Sequence, residues 1–156
     1  MGKSSQYTHY MQRVDQADNL GEIDIEEQFS GLLYMSAEGM NDIGKPKNIY
    51  TESYAESDAL SVYLPQDSGY ANEATKITMH FLVVGDASTR QTTIKNFFDY
   101  IRVGVHKYWD NARNLNLYFI VTDELKVSDE RWHGSTPYVE LVVTLQNING
   151  RTSPHV

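Results

Sequence analysis

The chain contains no cysteine, which excludes disulfide bonds, thiolate chemistry and zinc sites built from cysteine. It also lacks any run of about 18 apolar residues, the length that a membrane-spanning helix needs. Its first residues lack the apolar core of a signal peptide. We therefore expect neither a membrane protein nor a secreted precursor. The fold must be held by a hydrophobic core, by partners, or by both.

Motifs for catalysis and for cofactor binding are also missing. The sequence has no HExxH, no GxSxG and no glycine-rich phosphate loop. None of its five histidines forms an i, i+2 or i, i+4 pair of the kind that metal sites favour. These histidines are His9, His80, His106, His133 and His155. The acidic residues of 123–130 match no calcium-binding loop. We expect a protein that is not an enzyme, binds no metal or cofactor, and uses its histidines structurally or towards solvent.

The net charge of −8 is confined to one part of the chain. Residues 1–70 hold twelve acidic and four basic side chains, whereas residues 71–156 hold nine of each. An acidic surface repels the phosphate backbone, which argues against a role in gripping nucleic acid. The simplest interpretation of the acidic half is solubility.

One stretch has a strong helical pattern, residues 89–103. Its apolar side chains recur at i, i+3, i+4 and i+7 and so share one face of a helix. They are Ile94, Phe97, Phe98 and Ile101. Ser88 with Gln91 has the form of a capping box, and Gly104 follows where a left-handed stop is favourable. Strand-like segments flank this helix, so we expect its apolar face to lie on a sheet.

Most of the remaining pattern is alternation of apolar and polar residues, which is typical of strands. The segments with this pattern are residues 31–36, 60–64, 77–83, 115–122 and 138–146, with a shorter alternation near 23–25. The C-terminal half is predicted to run strand–strand–helix–strand–strand. Apolar residues on one face only favour antiparallel pairing.

The predicted domain organisation is a flexible acidic arm (1–30), one β-rich domain (31–150) and a short C-terminal tail (151–156). Within the domain, residues 37–58 form an irregular loop, since two glycines and a proline interrupt it. This loop carries an unusual number of apolar side chains, which need cover. They are Met40, Ile43, Ile49, Tyr50 and Tyr54, and we take them as candidate subunit-interface residues.

Four segments in this order resemble tail proteins of bacteriophages and prophages with the tail-tube fold, especially the ring-forming N-terminal part of distal tail proteins. They are residues 45–65, 73–85, 104–121 and 132–150, with the helix between the second and third. In that family an apolar strand precedes a helix of similar form, and the last long strand ends near N-x-x-G. Here the last strand ends with Asn147 and Gly150 in those places.

The resemblance implies a mainly β fold, an antiparallel β-sandwich or barrel with one flanking α-helix. It implies a structural subunit of a phage tail, located in the virion and assembled in the host bacterial cytoplasm. Its partners would be copies of itself in a sixfold ring around the DNA channel, and neighbouring tail proteins. Neither sequence-specific nucleic acid nor a membrane is expected as a partner. A long loop reaching the next subunit would give the apolar residues of 37–58 their cover.

Two alternatives remain open on the sequence alone. A monomeric β-sandwich module could bind glycans with Trp109, Trp132 and nearby tyrosines, which are abundant in the chain. The simpler interpretation of Trp109 is that it anchors the loop after the helix against the sheet. The second alternative is an enzyme whose carboxylate or histidine site matches no known motif.

Overall fold

A computed structural model describes residues 7–14, 21–44, 50–53, 60–63, 73–149 and 152–155. Among these residues there are eleven strands, β1 to β11, and two helices, α1 and α2. The N-terminal elements are β1 (His9–Arg13), β2 (Ile23–Asp24), α1 (Ile25–Gln28), β3 (Leu32–Glu38), β4 (Tyr50–Ser53) and β5 (Leu60–Tyr63). The C-terminal elements are β6 (Thr75–Val84), α2 (Ala87–Ile101), β7 (His106–Asp110), β8 (Leu115–Val127), β9 (Arg131–His133), β10 (Thr136–Asn147) and β11 (Ser153–Pro154). Neither described helix has the length and apolar character needed to cross a membrane.

The main sheet has the strand order β2-β1-β7-β8-β10-β6-β3, with β11 paired to β8 and β9 to β10. Every strand pair in it is antiparallel, as predicted. The alternation in β10 is confirmed: Val139, Leu141, Val143 and Leu145 are buried, and their neighbours face outward. The predicted class, an antiparallel β fold with a flanking helix, is therefore confirmed.

The sheet curls until its two ends approach each other. His9 of β1 stacks on Tyr34 of β3 with ring centroids 3.9 Å apart, although four strands separate β1 from β3 in the sheet. Helix α1 also contacts the edge strand β3. The Glu26 carboxylate on α1 accepts a hydrogen bond from the backbone N–H of Tyr34 on β3. The curl encloses the core on the concave side of the sheet.

Helix α2 covers that core. Phe97 is fully buried and meets Phe81 of β6 and Phe29 after α1 at centroid distances of 5.1 and 5.3 Å. Ile94, Phe98 and Ile101 are buried beside it, so the predicted apolar face is confirmed.

The predicted ends of α2 are two residues too late. The helix begins after Asp86, whose carboxylate accepts a hydrogen bond from the N–H of Thr89 at 2.8 Å. The predicted cap at Ser88 is therefore wrong, because an ionised carboxylate two residues earlier already satisfies a free N–H of the first turn. Gly104 has a φ of 87°, in the left-handed region expected after the helix.

The prediction of a flexible arm over residues 1–30 is wrong for the part that the structure describes. Residues 9–13 form β1, which pairs with β7 along its whole length. Met11 on this strand is fully buried. Residues 25–28, where the sequence suggested a strand or an arm, form α1 instead, with Asp24 as its N-cap. Only two apolar residues mark β1 in the sequence, too few to reveal a strand that is stabilised by pairing.

The described part of residues 37–58 is more regular than predicted, since β3 extends to Glu38 and β4 occupies Tyr50–Ser53. Gly44 packs closely against the residues that precede β6. A Cβ atom on Gly44 would overlap the carbonyl oxygen of Glu73. The glycine therefore serves a close contact within the chain.

Candidate functional site

The candidate interface residues separate into different environments. Met40 is 3% exposed and belongs to the core, so it needs no neighbouring subunit to cover it. The expectation that it lacks a partner within the chain is wrong, because Met40 belongs to the cluster of buried core residues. Ile43 is 69% exposed. Ile49 and Tyr54 lie outside the described residues, and Tyr50 is described only as a backbone position in β4.

Strands β4 and β5 form a separate two-stranded ribbon. They pair from Tyr50 with Tyr63 to Ser53 with Leu60, and within the described chain neither pairs with the main sheet. An isolated two-stranded ribbon is at best marginally stable in water and normally needs a third strand or a packed face. The ribbon is therefore a segment that additional protein surface would stabilise.

Further large apolar side chains are exposed elsewhere. Met35 on edge strand β3 is 53% exposed, Val103 after α2 is 50% exposed, and Trp132 on β9 is 60% exposed. Strand β3 has a register irregularity between Tyr34 and Ser36, which places Met35 at the bulge. Of these three, Met35 lies on an edge strand of the main sheet, where an unpaired backbone can receive another protein surface.

A buried polar cluster joins β1 to β7. The Tyr108 hydroxyl donates to Oδ2 of Asp110 at 2.7 Å, and the Nδ1 of His9 lies 2.8 Å from the same hydroxyl. Arg113 donates to Oδ2 of Asp110 through Nη1 at 2.8 Å, while the backbone N–H groups of Ala112 and Arg113 donate to Oδ1. Asp110 is 1% exposed, and these four donors satisfy its carboxylate.

The hydrogen bonds in this cluster determine which of Tyr108, Asp110 and His9 carry a proton. Burial raises the pKa of Tyr108 well above its ordinary value, so the hydroxyl stays neutral and donates its one hydrogen bond to Asp110. Burial alone would raise the pKa of Asp110, but the hydrogen bonds from Tyr108 and Arg113 outweigh it and the pKa lies below the ordinary value. The Tyr108 oxygen must then accept a hydrogen bond from the Nδ1–H of His9, which leaves Nε2 of neutral His9 unprotonated.

We predict that stability falls as the pH falls below about 6.5, the ordinary histidine pKa. Burial lowers the pKa of His9, and the charge of Asp110 offsets this only in part. The unfolded chain therefore binds more protons than the folded chain between the depressed pKa and about 6.5, so acid favours unfolding. Glu26 and Asp24 raise this pKa and Arg113 lowers it, each less than burial does.

Urea unfolding of the wild type and His9→Gln between pH 8 and pH 5 measures this effect. We expect the free energy of unfolding of the wild type to decline over this range and that of the variant to decline less. Equal slopes for the two proteins would contradict the assignment of this pH dependence to His9.

A cavity of about 410 Å³ lies over the cluster, at the junction of β1, β3 and the turn after β7. We call it the Arg113 cavity. It is lined by Tyr7, His9, Tyr34, Met35, Asp110, Ala112 and Arg113. Its floor is charged and hydrogen-bonded, whereas Tyr7 and Met35 make its more exposed walls.

His106 and His80 have separate partners. His106 is buried and its Nε2 lies 3.0 Å from the carbonyl of Tyr100. His80 lies on the outer face of β6 between the carboxylates of Glu38 and Glu140. Over the described ranges, no three histidine, aspartate or glutamate side chains are placed to hold a metal ion together.

Trp109 lies in β7, so the expectation that it anchors a loop is wrong. Its indole stacks on Tyr10 at 4.4 Å and on His155 at 3.7 Å, and both rings are nearly parallel to it. Two rings at these distances would overlap on one face, so they cover opposite faces. The indole N–H donates to Glu22 at 2.9 Å. Trp109 therefore offers no free face to a sugar, whereas Trp132 is exposed.

The sequence reasoning missed the polar cluster. The signal that could have revealed it is the alternation of His106, Tyr108 and Asp110 with Lys107 and Trp109. This is a strand pattern in which the inward positions carry polar groups. Apolar periodicity marks inward-facing positions only where they are apolar, so it gives no signal for β7 and its cluster.

Comparisons with known proteins show a likeness of fold to solved structures. No family model matches the chain, and neither does any curated protein. Among solved structures, it is similar to the SPP1 Dit (gp 19.1) protein, which is described as a paradigm of the hub adsorption apparatus in phages that infect Gram-positive bacteria. The TM-score is 0.50, the sequence identity is 14%, and the match covers 90% of this chain. The chain spans about half of that protein, 49% of its length. At this identity the likeness shows a shared fold.

Proposed function

We propose that this chain is a non-enzymatic structural subunit of a phage or phage-like tail, which assembles with copies of itself and with neighbouring tail proteins. The observation that carries the proposal is the likeness of its fold to a phage hub protein over 90% of the chain. The order of strands and helix in the sequence also resembles this class of protein.

The surface of the described chain supports assembly. Among the described residues, no strand of the main sheet pairs with the β4–β5 ribbon, and Ile43 and Met35 expose more than half of their surface. A ring built from head-to-tail contacts joins two different surfaces of neighbouring copies. In this proposal residues 37–58 contact one neighbouring copy, and the sheet edge at β3 contacts a different neighbour.

The remaining parts of the proposal concern partners and place. The subunit forms a closed ring, which we expect to be sixfold, around the DNA channel in the virion tail, and it assembles in the host cytoplasm. It uses no cofactor, reads no nucleic-acid sequence and inserts in no membrane. The acidic excess of residues 1–70 supports a role in which DNA passes without being gripped.

Substitution of Ile43 tests the contact that we assign to residues 37–58. We expect Ile43→Glu to leave the fold unchanged and to shift assemblies towards monomers, because a carboxylate at a buried contact carries an unpaired charge. Circular dichroism reports the fold and light scattering reports the assembly. The matched control is Val103→Glu, an exposed apolar residue outside this stretch.

Assembly that is unchanged in Ile43→Glu would remove residue 43 from the contact. Loss of assembly in both variants would point to the added charge in general and not to this loop. A wild type that stays monomeric and binds glycans on an array would favour the alternative of a glycan-binding module.

A further inference from the structure

We propose that the Arg113 cavity is a binding site for a carboxylate carried on an apolar or aromatic group. Its volume of about 410 Å³ is in the range of small-ligand sites. The proposal depends on the contacts of this cavity alone, so it stands or fails separately from the tail assignment.

Arg113 supplies the group that recognises a carboxylate. Its side chain is 31% exposed, and Asp110 holds Nη1 at 2.8 Å while Tyr34 lies beside the guanidinium. A guanidinium has five N–H donors in a rigid plane, and Asp110 receives one of them. Held from one side in this way, Arg113 has donors left for the two oxygens of a carboxylate.

The charges around the cavity disfavour more than one negative charge on a ligand, because Asp24 and Glu26 add negative charge close to His9. The four donors to Asp110 occupy its oxygens, so it has no free acceptor for a cation. Its own charge is offset by Arg113. His9 is neutral at pH 7 because its pKa is lowered, and it adds no second positive charge for a phosphate dianion. A monoanion with a flat, bidentate head group fits these conditions.

The walls specify what carries the carboxylate. Tyr34 forms part of the inner wall, while Tyr7 and Met35, 39% and 53% exposed, form the outer part. Aromatic faces and a flexible thioether pack well against an apolar or aromatic group. A carboxylate on such a group can come from a free small acid or from a second copy of this chain.

The probe ligand is N-acetyl-phenylalanine, and its matched control is N-acetyl-phenylalaninamide, which keeps the ring and lacks the charge. Both are titrated to about 20 mM, which detects millimolar affinity, into ¹⁵N-labelled protein. We expect the acid to shift the backbone amides of Met35, Ala112 and Arg113 in a saturable way, and the amide to bind at least about tenfold more weakly. Equal binding of acid and amide, or no shift at these residues with either, would overturn the proposal.

Two variants at the rim test the role of charge without disturbing the buried cluster. Met35→Glu and Met35→Gln have similar size, but only the first places a carboxylate opposite the ligand. We expect Met35→Glu to weaken binding of N-acetyl-phenylalanine at least about tenfold relative to Met35→Gln. Equal affinities would contradict a site centred on Arg113.

Dilution distinguishes the source of the carboxylate. If a second copy supplies it, the same amides shift with protein concentration in the absence of ligand, and N-acetyl-phenylalanine competes with this shift. If a free acid is the natural occupant, these amides respond to the ligand alone. Either response supports the carboxylate site, and the absence of both overturns it.

Discussion

Phe97→Ala is expected to lower the free energy of unfolding by about 3–5 kcal/mol, the loss typical of a large aromatic truncation in a core. Phe97 is fully buried and lies at the junction of helix α2, strand β6 and the segment after α1, where it contacts Phe81 and Phe29. Truncation removes its buried apolar surface and leaves a cavity that three separate elements would have to move to fill. Urea or thermal unfolding followed by circular dichroism measures the loss.

Asn96→Ala is the control for that experiment, because Asn96 precedes Phe97 on the helix and is exposed. We expect it to change the free energy of unfolding by less than about 0.5 kcal/mol. If Phe97→Ala were as mild as this control, the helix would not be a main support of the core.

Asp110→Asn is the second large effect that we expect, with a loss of about 3 kcal/mol, at the low end for a broken buried ion pair. The carboxylate is 1% exposed and accepts from Tyr108, from Arg113 and from two backbone N–H groups. An asparagine keeps the shape but turns one acceptor into a donor, which then opposes the donors from Tyr108 and Arg113. Because the Arg113 side chain is 31% exposed, water moderates the cost.

The matched control is Asp99→Asn. Asp99 also pairs with a basic residue, Lys95, at 2.7 Å, but both side chains are more than half exposed. Exposed ion pairs contribute at most about 1 kcal/mol. This variant should therefore change the free energy of unfolding by only about a few tenths of a kcal/mol. Equal losses for the two variants would show that the Asp110 cluster is no more important than a surface pair.

The sequence allowed prediction of the elements whose burial follows a simple period. Helix α2 carries four apolar residues at helical spacing, and β6 and β10 alternate apolar with polar residues, so their faces were predicted correctly. The start of α2 was misplaced because Ser88 and Asp86 are both good cap residues. The choice between them depends on which side chain reaches the N–H of Thr89.

Elements stabilised by contacts distant in the sequence could not be predicted in this way. Strand β1 is held by pairing with β7, about a hundred residues later, and by the stacking of His9 on Tyr34. Similarly, Met40 follows a glycine in an irregular stretch and looked like an exposed loop residue, although it belongs to the buried core. Ile43, four residues after Gly39, keeps the exposure that the sequence suggested.

Measurement of the mass of the purified protein in solution, by light scattering over a wide concentration range with negative-stain images beside it, tests the tail-subunit proposal most directly. The account predicts closed assemblies whose mass is a multiple of the 17.8 kDa chain and whose images show rings. A protein that remains at 17.8 kDa at every concentration, alone and mixed with neighbouring tail proteins, would contradict it.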